Sequence, residues 1–110
     1  MRRVLMGDFA ALIRAGFEEM LRETDLELIA TDQTDVVARL VTTLPDVVVL
    51  DLDLAESDEL VRQITTEFPA LKVVACSSRH PTMRVYPPFH HGECYDSALE
   101  ADLLTAALTA

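Results

Sequence analysis

Lysine occurs once in these 110 residues, at Lys72, and neither Lys nor Arg follows Arg84. Nine basic residues stand against 19 acidic ones, for a formal net charge of −10. Sequence-independent binding to nucleic acid or to an anionic membrane needs clustered Lys and Arg. Neither nucleic acid nor membrane is therefore expected as a partner. Cysteine occurs twice, at Cys76 and Cys94, too few for a disulfide framework. Cys76 is expected to pack in the core as a small hydrophobe. The three glycines, Gly7, Gly16 and Gly92, form no phosphate-binding loop. No Ser-His-Asp arrangement with supporting context occurs, so no catalytic residue is expected and the chain does not read as an enzyme. No apolar run approaches membrane-spanning length. The first apolar stretch ends at Gly7-Asp8, too short for the core of a signal peptide. A cytoplasmic location is expected.

What is present is apolar residues in ordered runs. Hydrophobic residues make up 50% of the chain and the mean hydropathy is +0.21, values of a globular protein. The length suits one domain over residues 1–110. Val47 to Leu50 is short, bulky and mostly β-branched, as a strand buried on both faces requires. Arg3–Met6, Leu26–Thr31 and Val73–Cys76 read as further strands. Ile13, Phe17, Met20 and Leu21 share one helical face. Val36, Val37, Leu40, Val41 and Leu44 share another, stopped by Pro45. Leu60, Val61, Ile64 and Phe68 follow Ser57, a plausible N-cap. Leu99, Leu103, Leu104 and Leu108 make a last helix, with Ser97 or Asp96 as cap, after a short strand near residues 93–97.

Between Arg79 and Glu93 the helical period is lost among Pro81, Pro87 and Pro88. Strand and helix otherwise alternate. The pattern predicts an α/β fold, a single doubly wound five-stranded parallel sheet in flavodoxin-like order 2-1-3-4-5 with its fourth helix degraded.

Three motifs carry a family resemblance: "RVLMGDFAALIRAGFEEML" from Arg3, "LPDVVVLDLDL" from Leu44 and "LKVVACSS" from Leu71. In order and spacing they resemble the response-regulator receiver domain, most closely receivers that precede helix-turn-helix output domains. The similarity runs from Arg3 to about Ser78 and fades beyond it. It implies a phosphoacceptor at Asp51, a phosphate-binding hydroxyl at Ser77, and Mg²⁺ held weakly by Asp8, Asp51 and the carbonyl of Asp53. Gly7 stands where the family has a second carboxylate, and the Asp53 side chain is a potential substitute. The strand-five lysine of the family is missing, and with it the ammonium that would pair with phosphoryl oxygens. The family's partner face includes an aromatic switch residue, for which Tyr95 is a candidate.

These losses point to a stand-alone, degenerate receiver in two-component or phosphorelay signal transduction. It would act through protein–protein interaction, with a histidine kinase or regulatory protein as partner, or as a homodimer. One alternative is a conventional Mg²⁺-dependent aspartyl-phosphate receiver at Asp51. Another is a ligand or metal sensor built on the Arg79–Glu93 loop, with His80, His90, His91 and Cys94 nearby as candidate ligands.

Overall fold

The structure is a computed structural model that describes residues 2–7, 9, 11–30, 36–77 and 79–109. Each short apolar run read as a strand forms one: β1 (Arg3–Met6), β2 (Glu27–Ala30), β3 (Val47–Asp51) and β4 (Lys72–Cys76). All three pairings among these four are parallel. Helices α1 (Ala11–Met20), α2 (Val36–Thr43) and α3 (Ser57–Glu67) connect them. Because strand side chains alternate, the sheet buries two layers. Val4, Met6, Val47, Val49, Val74 and Cys76 pack toward Phe9, Phe17 and Leu21 on one side. Leu5, Val48, Leu50, Val73 and Ala75 pack toward Val36, Leu40, Val61 and Ile64 on the other. The α/β class expected from the strand–helix alternation is observed. Among the described residues no helix is long and apolar enough to cross a membrane.

The expectation of five parallel strands is corrected. The sheet has six strands in order β2-β1-β3-β4-β5-β6, where β5 is Thr82–Tyr86 and β6 is Tyr95–Ala98. β5 runs antiparallel to β4, and β6 antiparallel to β5. The connection decides this. A parallel return needs a crossover of a dozen or more residues, usually a helix. Only residues 77–81 separate β4 from β5, and the Ser77 N–H donates to the Thr82 carbonyl at 3.1 Å, closing a hairpin. The stretch Arg79–Glu93, expected to be irregular in place of a fourth helix, thus holds a strand at Thr82–Tyr86. Its sequence, Thr82-Met83-Arg84-Val85-Tyr86, alternates polar and apolar residues until Tyr86, and the prolines flank it instead of interrupting it.

Three local expectations also change. α2 buries Val36, Leu40 and Thr43, while Val41 and Leu44 are exposed. Thr43 can sit inward because its hydroxyl donates to the Arg39 carbonyl at 2.6 Å. Leu44 ends α2 at φ +47, the left-handed position that helix ends normally give to glycine. Ser57 is the first residue of α3 and not its cap: Glu56 holds the cap position without a side-chain bond, and the buried Ser57 hydroxyl has no partner among the described residues. Ser97 and Asp96 lie in β6 and cap nothing. The last helix, α4 (Ala101–Thr109), starts with the Leu104 N–H on the Glu100 carbonyl. Leu104 and Leu108 are buried under the sheet, and Leu103 is exposed.

Candidate functional site

β3 delivers Asp51 to the carboxyl edge of the parallel strands, paired with Cys76 at the end of β4. The chain turns at once. Asp51 Oδ1 accepts the Asp53 N–H at 2.9 Å, an Asx turn in which a carboxylate binds its own backbone two residues on. The turn swings Asp53 toward the β4–β5 connection. There the Ser77 hydroxyl donates to the Asp53 carboxylate, with Oγ 3.0 and 3.1 Å from its two oxygens. The Arg79 N–H lies 3.2 Å from Asp53 Oδ2 and 3.1 Å from Ser77 Oγ. The His80 N–H donates to the same Oγ at 3.0 Å. A hydroxyl has one proton and two lone pairs, and Ser77, 5% exposed, has all three engaged.

Amides two and three residues on, both aimed at a serine Oγ, are the hydrogen bonds of a helix N-cap. Here no helix follows, because the chain enters the hairpin. The amides of Arg79 and His80 were the part of this site that sequence reasoning did not find. The available signal was Ser77 itself, a strand-ending serine able to accept from the backbone just beyond it.

Of the expected ligand and phosphoryl residues, the structure brings Asp51, Asp53 and Ser77 to one edge. Asp8 and Ser78 lie outside the described residues. The Asp53 side chain does turn into the site, as a substitute acid would have to, but what it meets is Ser77. Among the described residues no group of three or more His, Cys, Asp or Glu side chains is gathered as a metal site. His90 Nδ1 lies 2.9 Å from the Pro88 carbonyl, and His80, His91 and Cys94 are exposed. Tyr95, the candidate switch aromatic, projects from β6 with about half its surface exposed, opposite Val85. Cys76 is 1% exposed. Burial, and secondarily the charge of Asp51, push its thiol up to about 12, so it is a protonated core group and not a nucleophile.

The single lysine is placed elsewhere. Lys72 pairs with Val47 at the opposite end of the β3–β4 ladder, four residues before the Asp51–Cys76 pair. That is about 13 Å along the strand. Its Nζ donates to the Ala107 carbonyl at 2.9 Å. The last arginine, Arg84, pairs with Asp96 across β5 and β6 at 2.9 Å. No family model matches the chain, and no curated protein matches it.

Proposed function

We propose that this chain is a receiver-like signalling domain whose phosphoryl site is filled by its own Asp53 carboxylate. It acts by binding protein partners, a histidine kinase or another regulatory protein, without depending on a cycle of aspartyl phosphate. The observation that carries this reading is the Ser77 hydroxyl donating to Asp53. Asp53 takes the hydroxyl and the Arg79 amide, donors that would otherwise serve a phosphoryl group on Asp51. Phosphorylation of Asp51 would set a further charge of roughly −1.5 to −2 beside Asp53. Lys72 and Arg84 are both committed away from it. Mg²⁺ held by Asp8, Asp51 and Asp53 would supply positive charge beside the phosphoryl group, and the conventional receiver reading depends on it.

Acetyl phosphate with Mg²⁺, followed by intact-mass measurement, tests the proposal. The expected result is no stoichiometric adduct on the wild type, and more labelling at Asp51 in Asp53→Ala, where Ser77 is released. A stoichiometric wild-type adduct that disappears in Asp51→Asn would overturn it.

A further inference from the structure

The sheet ends on β6, and no described strand pairs with its outer side. The β5–β6 ladder fixes which backbone groups of β6 face outward. The Leu99 N–H donates to the Pro81 carbonyl at 2.8 Å, one step beyond the Thr82–Ala98 pair. Antiparallel pairs alternate between hydrogen-bonded and non-bonded. Ser97 and Tyr95 are therefore bonded to Met83 and Val85, while Asp96 and Ala98 turn their N–H and C=O groups away from β5. Among the described residues none of these four groups has a hydrogen-bond partner.

An open row of this kind is a template for another strand, and proteins usually blunt it with lysine, proline, a bulge or a guarding charge. β6, Tyr95-Asp96-Ser97-Ala98, has no lysine or proline, and its four pairs with β5 run without a bulge. Its one charge is drawn back toward β5, where Asp96 Oδ1 accepts from Arg84 Nε at 2.9 Å.

We propose that β6 pairs antiparallel with β6 of a second copy of this chain, about a two-fold axis at Ser97. The strand is complementary to itself in that register. Asp96 exchanges both backbone hydrogen bonds with the partner's Ala98, and Ala98 with the partner's Asp96, so every outward group of both strands is satisfied. Charge selects this register over its neighbours. An axis at Asp96 would set that carboxylate opposite its own copy, and an axis at Ala98 would set it opposite the partner's Glu100. Like charges directly opposite are destabilising. The Ser97 axis avoids both and places Tyr95, 53% exposed, opposite the partner's Leu99, an apolar cross-strand pair. Four residues a side bury little area, so the dimer is weak and concentration-dependent. The assignment is independent of the receiver-like reading, because no residue of the Asp51 site takes part.

Cross-linking tests the register, in variants that all carry Cys94→Ser so that buried Cys76 is the only native thiol. At the axis the two Ser97 Cα atoms form a non-bonded pair about 4.5 Å apart, inside the range of roughly 4.4–6.8 Å that a disulfide spans. Under mild oxidation Ser97→Cys is expected to form a covalent dimer roughly tenfold faster than Glu100→Cys, whose two copies lie about 20 Å apart. Sedimentation velocity of the wild type should show dimer growing toward millimolar concentration. High salt should increase it by screening two net charges of −10. Ala98→Pro removes one outward N–H and no bond to β5, a change that an outer strand tolerates. It should keep its circular dichroism and remain monomeric. A wild type still monomeric at millimolar concentration, equal cross-linking of the two cysteine variants, or a dimer that survives Ala98→Pro would each overturn the proposal.

Discussion

At the amino edge of the parallel strands, Arg2 and Lys72 donate to the last carbonyls of α4, and Arg3 donates to the Thr43 carbonyl at the end of α2. At the carboxyl edge, Asp51 and Asp53 accept backbone amides, and Asp58 and Glu59 occupy the first turn of α3. The side chains that meet helix ends thus differ in sign between the two edges, and one geometric fact accounts for both. Helices that connect parallel strands run back along the sheet. Their negative C-terminal ends gather at the edge where strands begin, and their positive N-terminal ends at the edge where strands finish. Each edge therefore answers its own helix ends. The single lysine serves the amino edge and is too far along β4 to balance Asp51. At the other edge Asp51 accepts an amide, and Asp53 accepts an amide and the Ser77 hydroxyl.

The largest effect expected at either edge is alkaline destabilisation through Cys76. Its pKa is about 12 in the folded protein against 9.0 for a model thiol. Between these values the unfolded chain releases a proton that the folded chain keeps, so stability falls as pH rises. The stability contributed is fully present below about pH 9 and is lost toward pH 12, up to about 4 kcal/mol for a shift of this size. Denaturant melts from pH 8 to 11 should show this decline, and Cys76→Ala should show a shallower one. Equal slopes would mean that Asp51 and burial do not hold the thiol neutral.

Asp53→Ala comes next. It strips the Ser77 hydroxyl and the Arg79 amide of a charged acceptor, at an expected cost of about 2 kcal/mol. Ser77→Ala should cost about 1.5 kcal/mol, because two amides lose their acceptor. The two losses should not add: a double-mutant cycle is expected to show coupling of at least about 0.5 kcal/mol. Full additivity would deny the Asp53–Ser77 contact on which the functional proposal rests. At neutral pH Asp51→Asn should be nearly silent by comparison, since the amide oxygen keeps the bond from the Asp53 N–H. A large loss in that variant would show that the charge, not the acceptor, matters at Asp51.

At the amino edge, Lys72→Met should cost about 1 kcal/mol, the usual worth of a cation at a helix C-terminus. Hydrogen exchange should localise the loosening to the end of α4. Protection lost equally throughout the sheet would break the proposed match between edge charge and helix end.

The smallest effect sharpens the comparison of two buried serines. Ser57 is 1% exposed with an unpartnered hydroxyl, whereas Ser77 has every hydrogen-bonding capacity engaged. Ser57→Ala should raise stability by about 0.5 kcal/mol, opposite in sign to Ser77→Ala. Thermal melts of the two variants side by side decide it.

Much of the fold was legible in the residues. Val47–Leu50 and Val73–Cys76 are apolar on both faces and could only be buried strands, and Val61 and Ile64 fix the inner face of α3. These signals are local, since a side-chain period reports which face of an element is buried. The same logic placed Asp51 at a strand end and Cys76 in the core. It failed where a choice depended on something distant. Val41 and Leu44 had the right period for α2, but Thr43 could be buried once its hydroxyl found a carbonyl.

The direction of β5 depended on the length of its connection and on the edge of β4 left open to it, neither of which is a property of Thr82–Tyr86 alone. The orientation of Asp53 depended on a serine 24 residues away reaching the same edge. Which strand ends share an edge, and which charges face one another there, is settled only when the sheet is assembled. Hydrogen bonds and Coulomb interactions act over a few ångströms of space, whatever the separation along the chain.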